Sequence, residues 1–266
     1  VIGFQEIVDL NAANVIQESE SEKRTASWSR MLGLFLNDIG KATGVSYELV
    51  ASKHLVGIAI CVYVSTRHHK NVKDIQIVNC ATGIFGVVGN KGGSSVRFRF
   101  YDSTLCFVCS HLAAHRGNVT GRNHDYATIL SKTKFKDNPS EHGSDAMAYY
   151  IRSSPHETYH SGSSKHTDDT NNSGHPQKAT FGILDHDIVI WLGDLNYRLV
   201  KAVSLEEVYD KLKNGDINYL LKWDQLNRER HEGRCFEHFE EGQIKFEPSY
   251  KFIPGTSDFD NRKDKK

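Results

Sequence analysis

The sequence predicts an α/β protein in which two β-sheets pack together with helices outside. Three observations predict it. Val- and Ile-rich runs such as "LVGIAICVYVS", "DIQIVNC" and "DIVIWLG" read as buried strands. Helical spacing appears only between groups of such strands. The chain has 266 residues, 38% of them hydrophobic, which is enough for a sizeable core.

The elements follow in order. Residues 1–7 read as a strand. In "WSRMLGLFLNDIGKAT", residues 28–43, the apolar positions Trp28, Met31, Leu32, Phe35 and Ile39 have helical spacing and predict an amphipathic helix. "SYELVAS", "LVGIAICVYVS" and "DIQIVNCATGIFG" predict consecutive strands. "GNKGG" at 89–93 predicts a turn, because Gly and Asn tolerate positive φ. "SSVRFRFYD" alternates apolar with polar, "TLCFVCSHLAAH" is mostly apolar, and "YDST" joins the two as a hairpin. "RNHDYATILSKTKF" has helical spacing. Residues 136–182 are rich in Ser, His, Asp, Asn and Gly without periodicity, and predict a mostly disordered insertion. Its histidines lack a regular ligand spacing, and the sequon at Asn171 is at chance level. Order returns with the strand "DIVIWLGD", helices at 204–213 and 216–230, and a strand at "IKFEPSYKF".

Composition excludes some functions. Thirty-three basic residues balance thirty-three acidic ones, so the net charge is zero and no global positive field for nucleic acid exists. No run of eighteen apolar residues predicts a membrane-spanning helix, and the first residues lack the basic region of a signal peptide. The five cysteines, Cys61, Cys80, Cys106, Cys109 and Cys235, have no second pair to complete a metal site with "CFVC". They read as small core hydrophobes in a reducing compartment. A cytoplasmic monomer is the expectation.

Certain polar residues stand where chemistry would need them. The apolar strand ending in "WLGDLN" places Asp194 and Asn196 at the carboxyl edge of a sheet, where period-two geometry would set them on one face. Together they could orient a water and hold a phosphate, or they could merely cap backbone groups. Glu6 ends another apolar strand and suits Mg²⁺, which takes few protein ligands. His111 follows apolar strand residues and could donate to a phosphoryl oxygen; His115 lies four residues on. Asn90 and Lys91 sit in the "GNKGG" turn, whose N–H groups and ammonium could cradle an anion. The P-loop spacing is missing. Tyr250 and Lys251 in "PSYKF" pair a hydroxyl with a cation.

Taken together, "GFQEI", "GNKGG", "SHLAAH", "RNHDY", "WLGDLNYR" and "PSYKF" resemble the catalytic domain of the inositol polyphosphate 5-phosphatases. The type II branch is the nearest, judged from "SHLAAH" and "ILDHDIVIWLGDLNYR". The resemblance covers nearly the whole chain outside about residues 136–182. It implies the DNase I-like, four-layered α/β/β/α sandwich of the endonuclease/exonuclease/phosphatase superfamily. It further implies Mg²⁺-dependent removal of the 5-phosphate from phosphoinositides and soluble inositol polyphosphates. Glu6 matches the family's metal ligand, and Asn90 and Lys91 match substrate contacts. His111 matches the histidine on the scissile phosphate, and Asp194 and Asn196 match the pair that positions water and phosphate. Tyr250 and Lys251 match contacts to the neighbouring 4-phosphate, which Lys265 would join. The segment "GIFGVVGN" matches a lipid-facing loop, in which Phe85, Val87 and Val88 would touch the bilayer or the core. Peripheral recruitment to membranes is then expected. No nucleophile such as a C-x₅-R loop is present, so water is the expected attacking group.

The resemblance breaks at both ends. The chain starts after the family's "WN" strand and stops before "PAWCDR" and "SDH", whose Asp-His pair would help to activate water. The expectation is therefore a partial domain, incomplete at both termini, poorly stable and nearly inactive as given. Two rivals accompany this reading: a Mg²⁺-dependent nuclease, disfavoured by zero net charge and by "PSYKF", and a phosphoinositide-headgroup-binding module without catalysis.

Overall fold

The computed structural model describes residues 1–8, 18–83, 91–136 and 180–260. These divide into two compact units, residues 1–114 with 120–196, and residues 115–119 with 197 onward.

The first unit contains two sheets. Strands β1 (Ile2–Phe4), β2 (Tyr47–Leu55) and β3 (Ile58–Ser65) form an antiparallel sheet in the order β1-β3-β2. Strands β4 (Val72–Ala81), β5 (Gly92–Phe100), β6 (Ser103–His111) and β9 (Ile188–Asp194) form the second, in that order. Its pairs are antiparallel except β6 with β9, which run parallel. The inner faces meet in one apolar cluster: Val50, Ile58, Ile60 and Val62 from the first sheet pack with Val96, Phe98, Phe107 and Cys109 from the second. Helix α1 (Glu18–Lys41) covers the outside of the first sheet, where the Tyr63 hydroxyl donates to the Ser29 carbonyl. Helix α2 (Val119–Lys132) covers the outside of the second, with Ile129 against Gly93 and Tyr126 tilted 5.0 Å from Trp191. Helix, sheet, sheet, helix is the layering expected.

Several elements differ from the sequence expectation. Helix α1 begins ten residues early, because its inward face is built from Ser21, Thr25 and Ser29 rather than from apolar residues. Its apolar residues Met31, Leu34, Phe35 and Ile39 face outward, which reverses the expected amphipathic burial. Strand β1 is only three residues long, and Glu6 lies beyond it with φ 57°. Gly92 and Gly93 belong to β5 rather than to the turn, paired with Ala81 and Cys80. Strand β9 is an edge strand among the described residues, so Ile188 and Ile190 are exposed where a buried run was expected. The insertion is narrower at its base than expected. Two short strands, β7 (Phe135–Lys136) and β8 (Thr180–Phe181), pair across it, and the intervening residues lie outside the description. The Phe135 and Phe181 rings stack there, with the Arg97 guanidinium 4.7 Å from the Phe181 centroid. The five cysteines are free and buried, and burial pushes the thiols of Cys106 and Cys109 up to about 12, so neither is reactive.

The second unit carries α3 (Leu205–Lys213), α4 (Ile217–Leu221) and α5 (Gln225–His231). Ser204, Asp216 and Asp224 cap them by accepting from N–H groups three residues on. The single helix expected at 216–230 is broken in two by the Asp224 cap. Arg116 donates to the carbonyls of Leu199 and Val200. "IKFEPSYKF" is not a strand: it has no ladder partner among the described residues beyond one isolated bridge, Phe252 to Phe259.

Candidate active site

Strand register builds the site. Gly92 pairs with His111 across β5 and β6, and His111 pairs with Asp194 across β6 and β9. A glycine, a histidine and an aspartate therefore stand in one row at the end of the second sheet. Backbone bonds extend the row past the strands: the Leu112 N–H donates to the Asp194 carbonyl at 3.0 Å, and the Asn196 amide donates to the Leu112 carbonyl at 2.9 Å.

Gly193 and Gly92 make this register possible. At Gly193 φ is 131°, and a Cβ there would collide with the Ser110 carbonyl oxygen and stand 2.8 Å from the Ser110 nitrogen. At Gly92 φ is 146°, and a Cβ would strike the Cys80 carbonyl. Only glycine lets the neighbouring backbones approach so closely.

His111 is the centre of the group and only 1% exposed. The Lys91 ammonium lies 2.5 Å from its Nε2. An ammonium can only donate, so Nε2 accepts and the imidazole proton resides on Nδ1. Asp194 Oδ2 lies 3.5 Å and Glu6 Oε1 3.9 Å from the same nitrogen, beyond hydrogen-bond contact. Both carboxylates are open to solvent, so the group presents two anionic oxygens and one cation around a buried imidazole. Charge balance of this kind accepts a phosphate together with a hard cation.

Asn196 behaves differently from its sequence expectation. The strand ends at Asp194, so period-two geometry stops there. Asn196 has φ 58°, its N–H donates to Asp194 Oδ1 at 3.0 Å, and its amide nitrogen is spent on Leu112. It fixes the Asp194 carboxylate and the His111–Leu112 backbone.

Sequence reasoning singled out neither Gly193 nor Asp125 as part of this site. Asp125, on the inner face of α2, accepts from the Ala113 N–H at 2.8 Å and so pins the segment after His111. Burial pushes its carboxyl above the usual range, against the pull of its hydrogen bonds. The signal was present: an acid within "RNHDY" falls on the buried side of a helix.

The structure brings Glu6, Lys91, His111, Asp194 and Asn196 together. Asn90 and Lys265 lie outside the described residues, as do Phe85, Val87 and Val88. Tyr250 and Lys251 belong to the second unit, where Tyr250 is exposed and the Lys251 ammonium lies 3.5 Å from Asp260. Among the described residues no three His, Cys, Asp or Glu side chains converge as a complete metal cage. The oxygen donors present, Glu6 and Asp194, suit a cation that keeps most of its water.

The family model described as "Endonuclease/Exonuclease/phosphatase family 2" matches residues 1–266. Inositol-1,4,5-trisphosphate 5-phosphatase 1 of Schizosaccharomyces pombe is 33% identical over 261 residues, which cover 98% of this chain and 20% of that protein. A solved inositol polyphosphate 5-phosphatase domain of a synaptojanin, in complex with inositol (1,4)-bisphosphate and calcium ion, superposes with a TM-score of 0.71 at 30% identity, over 98% of this chain and 61% of that one. A Cimex nitrophorin in its ferrous NO complex reaches a TM-score of 0.57 at 18% identity, a likeness of fold alone. The chain thus spans about a fifth of the curated relative and three fifths of the solved domain.

Proposed function

Because this chain belongs to the Endonuclease/Exonuclease/phosphatase family 2, we propose that its site is that of an inositol polyphosphate 5-phosphatase. The reaction would hydrolyse the 5-phosphate of soluble inositol polyphosphates or of phosphoinositide headgroups. The observation that carries the reading is the convergence of Lys91, Asp194 and Glu6 on the buried His111. The names of the S. pombe relative and of the synaptojanin domain support the substrate class.

Each residue has a role that its chemistry allows. Lys91 binds the phosphoryl oxygens; once it leaves Nε2, a proton taken up there lets His111 donate to them as well, and both stabilise the charge that grows on them. Asp194, held by the Asn196 N–H, orients the attacking water and takes its proton. Attack forms a new P–O bond as the ester P–O bond breaks. The inositol oxygen gains a proton, and the products are inorganic phosphate and a free 5-hydroxyl. Glu6 would hold Mg²⁺, with Asp194 at its edge; when bound, the cation supplies charge neutralisation to the phosphate. Lys91 would take over part of that work as it leaves His111 for the substrate. Tyr250 and Lys251 would contact a neighbouring phosphate, and peripheral approach to a membrane would deliver lipid substrates.

The groups assembled around His111 lead this reading to expect measurable phosphate release, where the sequence leads to an expectation of near-inactivity; the competing reading keeps the headgroup site and removes the chemistry. One titration separates them: inositol 1,4,5-trisphosphate is added to the protein with Mg²⁺, and binding and phosphate release are followed together. Release that disappears in Asp194→Asn supports hydrolysis. Saturable binding without release would establish the non-catalytic module.

A further inference from the structure

Helix α1 presents an outward face that the function above does not use. Its inner face is occupied by Ser21, Thr25 and Ser29. Outside, Met31 is 50%, Leu34 67%, Phe35 59% and Ile39 55% exposed. An open groove of about 510 Å³ runs along Met31, Leu34 and Phe35, bordered by Asn37, Asp38 and Lys41. Leaving this much contiguous apolar surface in water is costly, and such patches mark interaction sites.

The order of residues on this face selects the partner. Side chains four apart form the ridges by which helices pack. One ridge here is Arg30–Leu34–Asp38, with opposite charges equally spaced about a leucine. The neighbouring ridge is Met31–Phe35–Ile39, apolar throughout and centred one residue later. A two-fold axis passing between the two ridge centres therefore turns this face onto a complementary copy of itself. An antiparallel copy of the same helix, placed about that axis, would set Leu34 against the other chain's Phe35 and Phe35 against its Leu34. It would also bring each Arg30 to the other chain's Asp38. A parallel copy would instead oppose like charges. Arg30 and Asp38 are both exposed, and the ion pair that Asp38 makes with Lys41 at 2.9 Å is solvated and easily exchanged.

We propose that α1 is a homodimer interface, in which a second copy of this chain packs antiparallel across Leu34 and Phe35 with reciprocal Arg30–Asp38 pairs. This departs from the monomer suggested by sequence alone. It does not depend on the phosphatase reading, because the face carries none of the site residues. A single helix pair falls at the small end of specific interfaces, below about 1,200 Å² in total, so the dimer is weak and concentration-dependent.

Sedimentation equilibrium of the purified chain from about 1 to 100 µM brackets the weak association that such a small interface implies. The wild type should move from monomer toward dimer. Leu34→Glu should remain monomeric with an unchanged circular dichroism spectrum, since the position is exposed. Arg30→Asp and Asp38→Arg should each weaken association about tenfold or more, and the double variant R30D/D38R should restore it. Restoration by the charge swap is specific to a self-partner in this register. A wild type that stays monomeric at the highest concentration overturns the proposal, as does a dimer indifferent to Leu34→Glu. Failure of the double variant to recover overturns the antiparallel pairing. A monomeric wild type that instead sediments with phosphatidylcholine vesicles in a Leu34-dependent way assigns the face to lipid, and also overturns it.

Discussion

Replacing Gly193 by alanine tests whether the site depends on the close approach of β9 to β6. The φ of 131° is one that side chains rarely adopt, and the added Cβ would run into the Ser110 carbonyl oxygen and sit 2.8 Å from the Ser110 nitrogen. Strained backbone of this kind costs about 1–3 kcal/mol, and forcing an extra methyl group into a packed contact costs about 1–3 kcal/mol more. The obstacle is backbone, so no flexible side chain can move aside. Gly193→Ala should therefore lose about 3 kcal/mol or more in urea unfolding followed by tryptophan fluorescence, with Trp191 two residues away as the reporter. Gly44→Ala is the control in the same unit: φ is 65°, and nothing lies within 4 Å of its added Cβ. It should lose about 1–2 kcal/mol, the cost of left-handed backbone alone. Any Gly193→Ala protein that folds has displaced Asp194 from His111, and a shift of about 1 Å can cost on the order of 100-fold in rate. Equal losses in the two variants, with phosphate release preserved in Gly193→Ala, would refute the argument that this glycine sets the site.

Other perturbations have equally definite outcomes. Asp194→Asn and His111→Gln should each lower phosphate release by roughly 100- to 1,000-fold. Thermal melting should barely move for Asp194→Asn, whose carboxylate is open to solvent; a variant retaining most of its rate rules out the assigned role. Chelation should abolish release and Mg²⁺ restore it. Glu6→Gln should raise the metal concentration needed for half-maximal rate by at least about tenfold, a scale that even outer-shell changes reach; an unchanged requirement would remove Glu6 from the metal site. Asp125 has its pKa raised by burial, so its folded state retains the proton to higher pH than the unfolded chain. Its contribution is fully present below the unfolded value of about 3.9 and is lost as pH rises through the folded value. Relative to Asp125→Asn, which cannot ionise, the wild type should lose stability as pH rises through that window. Parallel urea midpoints across the window would contradict the sign.

Much of this molecule can be read from its residues, and the failures have physical causes. The runs ending at Ser65 and His111 were legible because strands buried between layers carry dense Val, Ile and Cys, and the run ending at Asp194 because its Val and Ile favour a strand even at the sheet edge. Glu6, His111 and Asp194 were legible as polar residues placed where such runs stop. The first ten residues of α1 were not legible, because hydroxyl-bearing Ser21, Thr25 and Ser29 face the sheet and leave no apolar period. "SSVRFRFYD" alternates correctly, yet Ser95 and Arg97 on its polar face are buried too. Helix α2 and the β7–β8 stem cover the face that would otherwise meet water. "IKFEPSYKF" shows strand-like alternation without a partner to pair with, a fact that no local pattern reports. The parts of the site hidden from sequence are matters of backbone. The left-handed turn at Asn196 redirects its amide to Leu112, and the glycine at 193 permits contact between strands nearly eighty residues apart in sequence.

The central claim is that Lys91, His111, Asp194 and Glu6 cooperate to remove one particular phosphate. Phosphorus NMR of inositol 1,4,5-trisphosphate incubated with the protein and Mg²⁺ tests it directly, because each phosphate is observed separately. The account predicts loss of the 5-phosphate resonance, growth of inorganic phosphate, survival of the 1- and 4-phosphates, and none of these changes with Asp194→Asn. Loss of a different phosphate, an equal rate in that variant, or an unchanged spectrum with the headgroup bound would contradict it.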